Sequence, residues 1–194
     1  MTAGDSEDTL VPRRSVRTRS AILEAARRRF AAQGFERTTI RAVAADAGID
    51  PSLVMRYYGN KAKLFDAALD IDLDLPDLST VPPGALAETF VRHFLHRWEG
   101  GPADDALLLL LRSAVTNDRA AQRMRDIFAT QVAPALGAVS ADADQVALIS
   151  TQLLGLALTR HLLRLPAVVG MTPQEIVTAY APAIHNIIAR EAAA

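Results

Sequence analysis

Twelve of the chain's arginines and lysines fall between Arg13 and Phe65, where only Glu24, Glu36, Asp46 and Asp50 oppose them. That segment carries +8 and the remainder −9, a division that the net charge of −1 conceals. Guanidinium and ammonium groups at this density are suited to phosphate. A basic segment joined to an acidic one points to a nucleic-acid module attached to something else, or, on charge alone, to a solvated face. Arg13, Arg14, Arg17 and Arg19 stand where a basic arm can reach a phosphate or a minor groove, or remain in solvent. Lys61 and Lys63 open an apolar-periodic stretch, and cations there oppose a helix dipole unless an anion is near. His93, His96 and Glu99 are the other group with chemical potential, for metal binding or proton transfer. Their spacing matches no zinc motif and no companion ligands accompany them, which makes them solvated or core residues. The 194 residues include no cysteine, excluding disulfides, zinc-thiolate sites and thiol redox chemistry. No glycine-rich phosphate loop and no nucleophile motif is present, so catalysis finds no support and neither a cofactor nor a metal is expected.

The basic residues must be held by local structure, and the spacing of apolar residues predicts helices throughout. From about Val16 to Gln33, Ile22, Ala26 and Phe30 recur every fourth residue, the signature of one buried helix face. Gly34 should end that helix in a left-handed turn, with Phe35 folding back onto Phe30. Thr38 or Thr39 can cap the next helix, in which Ile40, Val43, Ala44 and Ala47 form a narrow stripe that lets another helix approach closely. Gly48 ends it. Asp50 and Pro51 then supply an N-cap and a proline suited to a first helical position. Only Gly48, Ile49 and Asp50 separate the two helices, the outline of a helix-turn-helix. In the helix that follows, Val54 and Tyr58 share one face, Ser52, Met55 and Arg56 point largely elsewhere, and Leu53 and Tyr57 lie at the margins. Asn60 caps a fourth helix through Leu64, Phe65, Ala68 and Leu69.

Over roughly Thr18 to Leu69 these residues resemble the TetR family of bacterial transcriptional regulators. The resemblance is carried by Phe30-Ala31-Ala32-Gln33-Gly34-Phe35, Thr38 through Ala44, Ala47-Gly48-Ile49, and Leu53-Val54-Met55-Arg56-Tyr57-Tyr58-Gly59-Asn60-Lys61. It implies that Thr39 and Arg41 approach the DNA backbone or a base. It also implies that Ser52, Leu53, Met55 and Arg56 face the major groove, that Tyr57 and Lys61 hold phosphates, and that Val54 and Tyr58 are core. The side chains suit those roles: Arg56 can grip a guanine edge or a phosphate, Leu53 and Met55 can touch thymine methyls, and Tyr57 can donate to a phosphate oxygen. Packing is the competing role for Leu53 and Met55, and a solvated surface for Arg56, Tyr57 and Lys61. The sequence departs from the family's common pattern at Leu53, Met55 and Tyr58, and the Tyr58 hydroxyl needs a partner if its ring is buried.

The expected fold is all-α with about nine helices: a flexible tail over residues 1–14, a helix-turn-helix domain over 15–60 and a helical ligand-binding and dimerisation domain over 61–194. Helices are predicted at about 84–99, 103–115, 119–139, 144–165 and 173–190, the last opened by a Thr172, Pro173, Glu175 capping box. Pro134 and Pro182 should bend or interrupt theirs. The resemblance implies a small-molecule pocket between the DNA-binding part and the last two helices. Phe90, Phe94, Trp98, Leu107, Leu110, Met124, Ile127 and Phe128 offer it an apolar lining, with His93, His96 or Gln131 as polar contacts, or they form ordinary core. It also implies pairing of the last two helices with a second copy, through Leu153, Leu156, Leu163, Ile176, Tyr180, Ile184 and Ile187. Burial within one chain is the alternative for the apolar helix containing the leucines. The apolar runs 106–111 and 153–158 are far shorter than the roughly 20 residues that cross a bilayer. A soluble, cytoplasmic homodimer is therefore expected, binding a double-stranded, palindromic operator and a small, largely apolar effector as a ligand-responsive repressor. The alternative is a helical small-molecule-binding or interaction protein that does not read DNA.

Overall fold

The computed structural model describes residues 10–99, 103–138 and 142–189, and these are helices and connecting turns with no strand among them. The chain divides after Asp70 into two compact units. The boundary expected at residue 60 falls too early, because the fourth helix contributes Leu64, Phe65 and Ala68 to the core of the first unit.

That unit contains α1 (Leu10–Arg37), α2 (Ile40–Ala47), α3 (Pro51–Tyr58) and α4 (Lys61–Ala68). Part of the expected tail, residues 1–9, lies outside the described residues, whereas from Leu10 the backbone is already helical. Pro12 does not prevent this, since a proline in a first turn forfeits an N–H that has no helical partner. Gly34 breaks the helical geometry of α1 with φ 75° and ψ 173°. Beyond it Phe35 stacks on Phe30 at 6.1 Å between centroids, and Phe65 meets both rings, at 4.9 Å from Phe30 and 5.0 Å from Phe35. Each such pair adds about 0.5–1.5 kcal/mol beyond the area it buries. Ile22, Ala26, Phe30, Val43, Ala44 and Val54 complete this core.

The second unit contains α5 (Leu86–Glu99), α6 (Ala103–Ser113), α7 (Asp118–Ile127), α8 (Ala133–Gly137), α9 (Ala143–Ala157), α10 (Pro166–Val169) and α11 (Pro173–Ile188). Helix α7 passes through a π turn, Phe128–Val132, directly into α8. The wider turn precedes Pro134, whose missing N–H and bulky ring disfavour a regular helix there. Pro182, by contrast, lies within a continuous α11. Capping boxes open both α9, at Asp142 and Gln145, and α11, at Thr172 and Glu175. The core runs from Phe90, Val91 and Leu95 of α5 to Ile149, Leu153 and Leu156 of α9 and Ile176, Val177 and Ile184 of α11. No helix among the described residues is long and apolar enough to cross a membrane.

Candidate nucleic-acid interface and buried cavity

The turn between α2 and α3 is built from local chemistry. Thr39 Oγ1 accepts the Ala42 N–H at 3.1 Å, while Thr38 turns inward and its hydroxyl donates to the Gly34 carbonyl at 2.9 Å. Gly48 takes φ 64° and ψ 34°, and a side chain there would be strained. Asp50 accepts the Ser52 N–H at 2.7 Å. The Ser52 hydroxyl first, and then that bond, hold its carboxyl below the ordinary aspartate range. The helix pair is also tied to α1, since Arg29 Nη2 donates to Asp46 Oδ1 at 2.7 Å. The guanidinium lowers the Asp46 pKa, and the carboxylate raises that of Arg29.

These constraints leave one face of α3 in solvent. Ser52, Met55 and Arg56 are exposed, Met55 at 46%, as their i, i+3, i+4 spacing requires. Val54 is fully buried on the other side, and Leu53 and Tyr57 are half-buried at the margins. Thr39 and Arg41 are exposed at the start of α2. Two guanidinium groups lie near the Tyr57 ring, Arg19 at 5.1 Å and Arg56 at 6.0 Å from its centroid, within cation–π range. Tyr58 is half-buried, and its hydroxyl donates to the Arg19 carbonyl at 3.3 Å, so the polar atom of that core residue has its partner. The Arg29–Asp46 clamp and the place of Arg19 beside Tyr57 both depend on helix packing, and no local spacing marks them.

Lys61, expected at a phosphate, also has partners within the unit. Its Nζ donates to the Phe35 carbonyl at 3.0 Å and the Glu36 carbonyl at 3.3 Å, and lies 4.3 Å from the centre of the Phe35 ring. An ammonium at the start of α4 is therefore stabilised by backbone oxygens of the turn after Gly34, a source of negative potential within the unit itself. An ammonium carries three protons, and these carbonyls take two.

In the second unit a cavity of about 100 Å³ is bordered by Phe90, Phe94, Trp98, Leu107, Leu110, Met124, Ile127 and Phe128, the full set of residues expected to line a pocket. Phe90, Phe94 and Trp98 reach it because i, i+4, i+8 positions share one face of α5. Leu73, Leu75, Val132, Leu153 and Leu154 add hydrocarbon, and His93, Arg97 and Ser150 add polar atoms. Of the polar residues expected, His93 borders the cavity, whereas His96 faces a separate groove beside Arg92 and Val177. Gln131 serves the adjoining backbone: its Oε1 accepts the Leu73 N–H at 2.8 Å and its Nε2 donates to the Ile71 carbonyl at 2.9 Å. His93 Nε2 meets the Leu73 carbonyl at 2.9 Å, and Arg97 Nη2 donates to the Asp72 carbonyl at 2.6 Å. Three side chains thus pin the segment that leaves α4.

The residues expected to pair with a second copy divide. Leu153, Leu156, Ile176 and Ile184 are buried in the unit's own core, which leaves them little surface to offer a second copy. Leu163 is 57% exposed, and Tyr180 and Ile187 are half-buried. The solvent faces of these helices are instead formed by Ala147, Leu148, Thr151, Gln152 and Gly155 of α9 and by Ala179, Pro182, Ala183 and Asn186 of α11.

Comparison with family models matches residues 22–68 to the bacterial regulatory proteins of the tetR family and residues 85–188 to the tetracyclin repressor-like C-terminal domain. The second match alone spans more than half of the 194 residues. The chain belongs to the TetR family. It is thereby a DNA-binding transcriptional regulator, and the first family match falls within the α1–α4 unit that carries the exposed α3 face. Among solved structures, a TetR-family regulator from Streptomyces coelicolor A3 aligns at 29% identity and a TM-score of 0.62, covering 90% of this chain and 96% of its own. A transcriptional regulator from Rhodococcus sp. Rha1 aligns at 22% identity with a TM-score of 0.66, covering 90% and 95%. Another TetR-family structure, from Rhodococcus sp., aligns at 17% identity and 0.65, covering 90% and 100%. These two share the fold. A search of curated proteins returned no match.

Proposed function

We propose that this TetR-family regulator is a ligand-responsive repressor that binds a palindromic operator as a homodimer. The observation that carries the reading is the α3 face: Ser52, Met55 and Arg56 project together from a short helix whose ends are fixed by Asp50 and Gly59. In this role Arg56 reads a base edge or grips phosphate, Ser52, Leu53 and Met55 border the major groove, and Thr39, Arg41, Tyr57 and Lys61 hold the backbone. Dimerisation uses the solvent faces of α9 and α11, where alanines and Gly155 permit close helix approach. The cavity takes a small effector that favours a conformation in which the two recognition helices no longer fit successive major grooves. Ligand and DNA then weaken one another by the same factor.

Fluorescence titration with duplexes from around the chain's own gene, at several salt concentrations, tests the DNA role. Binding stronger than to a scrambled duplex, weakening steeply with salt, is the expected result. No specific binding in any ligand state would favour a helical ligand-binding protein that does not read DNA.

A further inference from the structure

We infer that the effector is a compact apolar monocarboxylate whose anionic oxygens are bound by Arg97 and Ser150. This rests on the cavity being the effector site, and it specifies the chemistry of the occupant. Most of the lining is hydrocarbon, aromatic ring or thioether, and among the described lining residues none is acidic. Arg97 brings a permanent positive charge to that surface. One end of its guanidinium is engaged, with Nη2 on the neutral Asp72 carbonyl, whereas Nε is buried and has no hydrogen-bond partner. A buried N–H of a charged group left in that condition is costly, and a carboxylate answers both the charge and the donor geometry.

Ser150 supplies the second donor. Its Oγ on α9 is buried, has no hydrogen-bond partner and borders the same cavity. A helical hydroxyl either points to solvent or bonds back to the carbonyl four residues earlier, and Thr130, Thr151, Thr159 and Thr178 of this unit bond back, at 2.7 to 2.9 Å. Ser150 departs from their pattern while facing the cavity that Arg97 also borders. The third polar lining residue, His93, is committed to Leu73, whose carbonyl can only accept, so that its Nε2 carries the proton. Arg97 and Ser150 are thus the lining residues with a buried polar atom that has no partner. Size limits the rest of the molecule: about 100 Å³ is on the scale of the roughly 150 Å³ void that accepts benzene. A single ring or a short chain fits.

Trp98 is the chain's one tryptophan and borders the cavity, so its fluorescence reports occupancy in the full-length protein. The test titrates cyclohexanecarboxylate and hexanoate against their uncharged amides and against methylcyclohexane, with isothermal calorimetry as the second readout. The carboxylates should bind at least tenfold more tightly than the amides. Arg97→Gln should erase that preference while leaving amide binding in place. Ser150→Ala, which does not touch the Asp72 contact, should reduce carboxylate affinity several-fold without altering amide affinity. Amides binding as well as their acids, or a preference unchanged in both variants, overturns the carboxylate assignment and leaves the apolar effector cavity standing. Binding of none of the five compounds overturns the cavity as effector site, and the carboxylate assignment with it.

Discussion

Lys61→Met separates two roles that the structure and the family resemblance assign to one side chain. Methionine retains an unbranched stem against Phe35 but removes the ammonium and its two bonds to the Phe35 and Glu36 carbonyls. A well-formed hydrogen bond to a charged group contributes about 1.5–3 kcal/mol. Because Lys61 is half-exposed and its second contact is 3.3 Å long, a total of about 1–2 kcal/mol is the reasoned loss. Native-state amide exchange should therefore quicken roughly five- to thirtyfold at the end of α1 and through α4. If Lys61 also holds a phosphate, each dimer loses two such contacts and the slope of log affinity against log salt becomes shallower by about 1.8. Between about 50 and 200 mM salt this amounts to about tenfold less weakening of DNA binding. Faster exchange with an unchanged slope would refute the phosphate contact and leave Lys61 as an anchor for the turn after Gly34. A shallower slope with unchanged exchange would refute the stabilising role of the carbonyl bonds.

Gly155→Arg tests the reassigned dimer face: a Cβ at Gly155 meets nothing within 4 Å, and the change raises helix propensity, by less than the about 0.8–1 kcal/mol that separates glycine from alanine. The monomer should keep its fold while sedimentation shifts to the monomer mass, and an intact dimer would place the interface elsewhere. Arg56→Ala should cost about 1–3 kcal/mol and relax preference at one base position of each half-site, whereas uniform weakening across sequences would mean a phosphate contact instead. Acid should destabilise the first unit. The folded pKa of Asp46 is lowered chiefly by its hydrogen bond from Arg29, so the unfolded chain binds more protons below about pH 4. The contribution is complete above that range and declines as pH falls through the lowered value. Asp46→Asn should flatten this acid limb in far-UV circular dichroism, and an unchanged limb would show that the pair contributes nothing.

What was legible in the residues was mostly what is decided within a few positions of the chain. Gly34, Gly48, Asp50-Pro51 and Asn60 mark helix ends because capping and positive φ are local requirements. The stripe of Phe90, Phe94 and Trp98 was readable because i, i+4 spacing places those rings on one face whatever lies opposite. Periodicity says that a face is buried and not what buries it, so for Leu153, Leu156, Ile176 and Ile184 the spacing left open a partner subunit, which the resemblance implied, and burial within one chain; the chain's own helices cover them. Lys61 and Arg97 escaped for another reason. The carbonyls that orient them lie 25 or 26 residues away, and backbone oxygens leave no trace in residue type. The π turn ahead of Pro134 could be anticipated as an irregularity but not in its form, because several distortions accommodate a proline.

The pinned segment after α4 also bears on how a switch of this kind can work. Leu73 N–H, the Leu73 carbonyl, the Asp72 carbonyl and the Ile71 carbonyl are all held by side chains and not by a regular helix. In the proposed dimer this stretch acts as a tether whose stiffness depends on Gln131, His93 and Arg97. In a dimer on DNA, once one α3 is seated, the second binds at an effective concentration set by such tethers, with no new contact required. An occupant that draws Arg97 away from Asp72 would spread the second reading head over more orientations and dilute it at its half-site. On the repressor reading proposed above, repression is then relieved by a gain in backbone entropy, and faster exchange of the Leu73 amide is the expected observation.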